Sequence, residues 1–180
     1  MFHKFIKSMA LTAPKSSDSS FQSMLADGDG DIKLVSGFDS VKSLYNKLGA
    51  AHNISPSDIL FCTLNTNKVN MTALLSTNLE VNDVIFVHRA GERSEVLFDK
   101  EQDGQLLGIT VTDNGDGVAF VKKIKEESPL MLKVFVGDHI QEIDGVSMLG
   151  MGHAKVVEVL VKLARGKHTL TIIKPIKKEQ

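Results

Sequence analysis

A glycine set among apolar residues, Leu106-Leu107-Gly108-Ile109, running on into Thr110-Val111-Thr112-Asp113-Asn114-Gly115, has the makings of an anion cradle. Glycine reaches backbone angles that other residues avoid, so successive N–H groups beside it can turn toward one point and hold a carboxylate. The alternation that follows reads as a strand, and a strand with one open edge can take an incoming peptide beside it. These residue types at this spacing suit capture of another protein's free C-terminus. They point to binding rather than to catalysis.

The remaining reactive side chains do not assemble into a competing chemistry. Ser94, His153 and Asp138 could be imagined as a hydrolase set, but no nucleophile elbow, zinc motif or glycine-lysine phosphate loop frames them. His52 and His88 lack a second His, Cys or paired carboxylate at ligand spacing and read as ordinary surface or edge histidines. The acidic run Asp27-Gly28-Asp29-Gly30-Asp31 invites a calcium reading. An EF-hand loop begun at Asp27 needs glycine sixth and glutamate twelfth, where this chain has Ile32 and Phe38. No metal and no cofactor are therefore expected. Cys62, the single cysteine, sits in the apolar run Ile59-Leu60-Phe61-Cys62 and reads as a small buried hydrophobe. One cysteine allows no internal disulfide, which suits a reducing compartment.

With 21 basic and 22 acidic residues the charge nearly cancels, so no broad field favours nucleic acid. Lys122, Lys123 and Lys125, with Lys174, Lys177 and Lys178 near the end, supply the alternative of a module lying on a membrane surface. Lysines so placed more often form a solvated face. The opening Met1-Phe2-His3-Lys4-Phe5-Ile6-Lys7 is broken by lysines and is followed by no secretory apolar core. It reads as neither signal peptide nor membrane span, and residues 1–20 as a flexible tail.

The elements that must position the glycine follow from length and patterning. A chain of 180 residues with 42% hydrophobic content divides most naturally into two modest domains. Residues 21–90 read as a hairpin with the acidic turn, then an amphipathic helix carrying Val41, Leu44, Tyr45 and Leu48. Asp39 or Ser40 can cap its start and Gly49 can end it. Strands at residues 59–64 and 84–88 complete an order that resembles the ubiquitin-like grasp. Met71, Leu74, Leu75 and Leu79 read as core filling. Arg89-Ala90-Gly91-Glu92-Arg93 reads as a short polar joint.

In residues 94–175, Val96 and Phe98 share one strand face and Ile109 and Val111 another, while Val118, Phe120 and Ile124 mark a third strand. Ser128 before Pro129 predicts a short helix, with serine as its cap. Val136-Gly137-Asp138 leads to a strand at residues 140–143 and an Asp144-Gly145 turn. From His153 a long amphipathic helix carries Val156, Val157, Leu160, Leu163 and Ala164, ahead of a last strand with Leu170 and Ile172. Residues 176–180 form a tail.

This order of glycine-centred loop, strand, long turn, Val-Gly-Asp, Asp-Gly turn and His-initiated helix resembles a PDZ domain. Phe61-Cys62-Thr63-Leu64-Asn65-Thr66-Asn67-Lys68-Val69, the Ile109 to Gly115 stretch and Val136-Gly137-Asp138 extend the likeness to the GIPC family, also called synectin or GAIP-interacting protein. The resemblance implies an α+β chain in which a ubiquitin-like GIPC-homology domain precedes a PDZ domain, a partly open antiparallel β-barrel with two helices. It implies an adaptor that dimerises and holds C-terminal tails of transmembrane receptors and of a GAIP-type G-protein regulator. Such an adaptor supports endocytic and vesicular traffic and is cytoplasmic, peripheral to the plasma membrane and endocytic vesicles. Myosin VI enters as a partner only through a further C-terminal region, which the family carries and which these 180 residues do not include.

On that pattern the backbone N–H groups around Leu107, Gly108 and Ile109 receive the carboxylate, with Leu106 beside them. The peptide adds as a strand along Ile109, Thr110 and Val111. Leu107, Ile109, Val157 and Leu160 enclose its last apolar side chain, Lys100 assists the carboxylate through water, and His153 bonds a serine or threonine hydroxyl two residues before the end.

Overall fold

The computed structural model describes residue 11, residues 19–75 and residues 78–177. The basic N-terminal stretch and Lys178 lie outside the described residues. Contacts divide the chain into two compact units, one drawn mainly from residues before 91 and the other mainly from residues 91–175.

In the first unit the acidic turn closes an antiparallel hairpin of β1 (Phe21–Leu25) and β2 (Lys33–Val35), with Phe21 opposite Val35. β1 also runs parallel to β4 (Val84–Lys100), pairing Gln22 with Val84 and Leu25 with Val87. β3 (Ile59–Leu64) lies antiparallel to β4, and the local strand order is β2-β1-β4-β3. The helix α1 (Val41–His52) buries Val41, Leu44, Tyr45 and Leu48, the expected stripe, among Phe21, Leu25, Ile59 and Ile85. Each such large aliphatic contributes about 1.5–3 kcal/mol on burial. Ser40 is the N-cap, and its hydroxyl and that of Ser43 exchange bonds with each other's backbone N–H at 3.1 and 3.0 Å.

Gly49 does not end α1; the helix runs on to His52 and turns off at Asn53, whose φ is 55°. Glycine is needed at 49 for space, because a Cβ there would lie 2.8 Å from the Ile54 carbonyl oxygen and 3.0 Å from a Pro56 ring carbon. His88 is likewise not a surface residue. It is 2% exposed, its ring stacks on Phe61 at 4.5 Å, and its Nε2 bonds Thr63 Oγ1 at 2.7 Å. Burial pushes its pKa down to about 4. His52 is half-buried and bonds Ser23 Oγ at 2.8 Å. Leu11, in the stretch read as flexible tail, is buried in this core, with its N–H on the Asp39 carbonyl at 3.0 Å. Cys62 is buried as expected, and burial raises its thiol pKa to about 12. In the acidic turn Arg89 donates to Asp27 at 2.6 and 2.9 Å and to Asp29 at 2.9 Å.

Residues 89–93, read as a joint, lie inside β4, which is a single strand from Val84 to Lys100. Polar side chains do not interrupt a strand whose backbone is extended and whose alternate positions face solvent. In the second unit the order is β4-β9-β7-β6-β5, with β8 beside β7. These are β5 (Ile109–Asp113), β6 (Ala119–Ile124), β7 (His139–Ile143), β8 (Val146–Ser147) and β9 (Gly166–Pro175). One helix, α2 (His153–Lys162), covers the core of Val96, Phe98, Val121, Leu130, Ile140 and Ile172.

The helix expected after Ser128 is instead a chain of turns. Met131 N–H bonds the Ser128 carbonyl and Val134 N–H the Leu130 carbonyl, but Leu132 stands at φ 65°. A left-handed residue interrupts helical propagation.

Candidate functional site

Among the described residues the strand order ends at β5, so one edge of β5 has no strand partner there, and α2 packs against β5. Between them opens a groove of about 200 Å³ lined by Leu106 to Thr110 on the strand side and by Val157, Leu160 and Val161 on the helix, with Lys125 at its rim. Leu160 and Val161 follow Val157 by three and four residues, which places them on one side of α2. Seven of the ten expected residues therefore line the groove.

Hydrogen bonds behind the groove determine where its backbone points. Ser128 Oγ donates to the Leu107 carbonyl at 2.5 Å while accepting the Leu130 N–H at 3.0 Å. In a planar trans peptide the C=O and the following N–H point opposite ways, and the described residues contain no cis bond. With its carbonyl drawn to Ser128, the 107–108 peptide turns the Gly108 N–H away from Ser128. The Gly108 carbonyl accepts the Lys125 N–H at 2.8 Å on the β6 side, so the Ile109 N–H turns to the open edge. Two consecutive donors thus face the side where α2 lies. Gly108 has φ 67°, and a Cβ there would stand 3.2 Å from the Ser128 Cβ. A side chain would meet both backbone strain and crowding.

Three expected positions are not among the residues that line the groove. Val111 is 5% exposed and belongs to the core cluster, because alternation along β5 turns it inward from the face carrying Thr110. Lys100 does not reach toward the cradle. Its side chain is buried and its ammonium donates to the carbonyls of Leu160 and Val161, both at 3.0 Å, so it ties down the C-terminal end of α2. Carbonyls in the last helical turn lack intrahelical donors, which explains why a lysine is tolerated there. Burial lowers its pKa from the ordinary lysine value. The cation at the groove is Lys125, which sequence reasoning placed only in a basic cluster. Its signal was the two-strand pairing that brings the end of β6 beside Gly108.

His153 starts α2 as expected but lies along the helix from the groove's apolar end, exposed. Its backbone N–H and its Nδ1 both bond Asp113 Oδ2, at 2.8 and 2.6 Å. Gly152, the N-cap, has no side chain to cap the helix, and Asp113 supplies that acceptor from β5. At the other end of α2, His168 presents Nε2 to the Ala164 carbonyl and Nδ1 to Asp144 Oδ2, each at 2.6 Å. Burial alone would lower the His168 pKa, but two acceptors outweigh it and the net shift is upward.

The alternative sets are dispersed. Asp138 is buried against the Phe135 N–H at 2.9 Å and Lys174 at 3.3 Å, while His153 is held by Asp113, so Ser94, His153 and Asp138 share no hydrogen bond among those described. Lys174 also stands 4.8 Å over the Phe135 ring. Among the described residues no helix is long and apolar enough to cross a membrane, and no three His, Cys, Asp or Glu side chains form a metal-binding group.

Comparison with known proteins agrees with this architecture. Residues 20–87 match the family model of the GIPC1-3 GH1 domain and residues 95–173 that of the PDZ domain. The PDZ domain-containing protein GIPC1 of Homo sapiens is 42% identical over 160 residues, 87% of this chain and 47% of the relative. GIPC3 of Mus musculus is 41% identical over 158 residues, covering 86% of this chain and 52% of the relative. The chain spans about half the length of the curated relatives it matches. A solved PDZ domain from choanoflagellate GIPC is similar at 36% identity and a TM-score of 0.46, covering 50% of this chain and 98% of that one. The same domain bound to a B1AR peptide is 38% identical with the same score and coverage. A GH1 domain followed by a PDZ domain, at this level of identity, places the chain in the GIPC family of PDZ domain-containing proteins.

Proposed function

We propose that the second unit binds free C-terminal tails of other proteins, and that the chain works as a non-enzymatic adaptor. The supporting observation is the paired orientation of the Gly108 and Ile109 N–H groups at the open end of an apolar groove. Two converging backbone donors bind a carboxylate, and the edge of β5 pairs with the residues before it. Val157, Leu160 and Val161 receive the terminal apolar side chain, while Lys125 adds long-range attraction for its charge. A short tail in an open groove binds with a Kd on the order of micromolar. Calorimetric titration with one peptide as free acid and as amide tests this directly. The acid should bind at least tenfold tighter; equal binding would remove the reading.

The tails fitting this site in its family setting are those of transmembrane receptors and of a GAIP-type G-protein regulator. That role places the protein in the cytoplasm, peripheral to the plasma membrane and to endocytic vesicles. A homodimer would present two grooves to clustered tails and gain avidity without new contacts. Light scattering that gives a monomer mass at cellular concentration would remove the dimer. Myosin VI is a partner only if a further C-terminal region, of the kind the family carries, is present.

A further inference from the structure

His168, near the start of β9, offers both ring nitrogens to oxygens: Nε2 to the Ala164 carbonyl and Nδ1 to Asp144 Oδ2, each at 2.6 Å. A carbonyl oxygen only accepts, so Nε2 carries a proton. Asp144 is charged: burial works against its carboxylate, but the Thr169 N–H on Oδ1 at 2.9 Å and the His168 ring outweigh burial and lower its pKa. Nδ1 therefore donates as well, and the ring is an imidazolium. A neutral imidazole has a single N–H and keeps only one of the two bonds.

The ring sits where α2 gives way to β9. Lys100 of β4 donates to the Leu160 and Val161 carbonyls at 3.0 Å, His168 takes the Ala164 carbonyl three residues past Val161, and Asp103, after β4, accepts the Arg165 N–H at 2.6 Å. Carbonyls at a helix C-terminus lack intrahelical donors and carry partial negative charge, which suits cations. Leu160 and Val161 also wall the groove. Of the charges around the ring, Asp144 favours its proton and Lys100 opposes it; Arg165 and Lys167 flank it in the chain, and the Phe98 ring lies 5.7 Å away. Burial alone would lower the His168 pKa, but the Ala164 carbonyl and Asp144 carry it above the ordinary 6.5.

We infer that His168 is a positioning residue for the groove: donating from both ring nitrogens, it fixes the C-terminal end of α2 so that Leu160 and Val161 stand ready for a tail, and tails bind more weakly once the ring gives up a proton. The inference rests on the tail-binding function proposed above. A wall already in place costs the ligand less ordering, and a looser wall costs it affinity. Both ring bonds are intact below pH 6.5, and one is lost as pH rises through the raised folded-state value. Linkage is reciprocal, so a bound tail strengthens the hold of His168 on its proton.

A peptide ending Ala-Ala-Val, as free acid and as amide, is titrated into the full chain, H168Q and D144N from pH 5.5 to pH 8.5. The His168 ring is followed by NMR in the native chain with and without the acid peptide. The native chain should bind the acid about threefold tighter at the low end of that range, and its His168 titration should move to higher pH when the peptide is present. H168Q keeps a neutral donor for Ala164 and should bind equally across the range. D144N keeps an oxygen for the Thr169 N–H but loses the charge, so its fall in affinity should come at lower pH. His153 and Lys100 are retained in every variant, so protons they exchange are common to all. A flat native profile, an H168Q profile that matches the native one, or a His168 titration that the peptide leaves in place overturns the positioning role. Failure of the native chain to prefer acid over amide at any pH overturns the tail-binding function itself.

Discussion

Ser128 and Leu107, 21 positions apart, are joined by a 2.5 Å hydrogen bond from a side-chain hydroxyl to a backbone carbonyl. That bond aims a donor on the far side of the same peptide plane. S128A removes it and leaves the Leu130 N–H without its side-chain acceptor. The fold should lose about 1–3 kcal/mol. Tail binding should weaken roughly five- to tenfold, the equivalent of about 1 kcal/mol or slightly more. Hydrogen exchange at the Gly108 amide should quicken in the bound state. If S128A loses stability but keeps native affinity for the free acid, the hydroxyl is structural only.

Gly108 stands at φ 67° with a neighbouring Cβ 3.2 Å from where its own would be. G108A meets a left-handed backbone cost of about 1–2 kcal/mol for an L-residue. Relief of that strain rotates the peptides on both sides, so free-acid binding should fall by more than the loss in stability accounts for. Denaturation midpoint and peptide Kd, measured on one preparation, check the imbalance.

Lys100 and Lys125 should part company under substitution. K100M leaves the Leu160 and Val161 carbonyls without their ammonium donor and should lower the melting temperature. Its tail binding should retain the native dependence on salt. K125M should leave the melting temperature unchanged, weaken the free acid several-fold at low salt, and flatten the salt dependence, because Lys125 is exposed at the groove. Identical salt profiles for native chain and K125M would contradict the placement.

His88 gives the first unit a pH dependence of definite sign. Its folded-state pKa is about 4 against an ordinary value of 6.5, so between those limits the unfolded chain binds the extra proton. Stability conferred by a neutral His88 is intact above pH 6.5 and is lost as pH falls toward 4, by about 3 kcal/mol in full. H88Q retains a donor for Thr63 and carries no titratable ring. Urea midpoints at pH 7 and pH 4.5 should therefore converge more in H88Q than in the native chain, and equal acid sensitivity in the two would disprove the shift.

Much of this molecule follows from local pattern. The apolar stripe of α1, the hairpin across the acidic turn, the helix beginning at His153, and the glycine at the mouth of β5 each depend on residues close together in the chain. Periodicity and turn chemistry report such features directly. Gly49 could be read as a terminator because glycine often ends helices, but its use here is a close approach by Ile54 and Pro56, which only the packed fold reveals.

The residues that aim the site were decided by tertiary structure. Ser128 read as a helix cap, yet its hydroxyl reaches back to Leu107; Lys100 read as a groove cation, yet it serves the end of α2; and nothing along the chain marked Asp113 as the partner of the His153 ring. His88 read as a surface or edge residue because nothing around it in the chain shows that β3 pairs beside it. The sequence by itself determined which elements form and that a glycine-flanked strand could hold an anion. Folding alone decided which polar side chains stand behind that strand, because a hydrogen bond depends on where two groups meet in space and leaves no periodic trace along the chain.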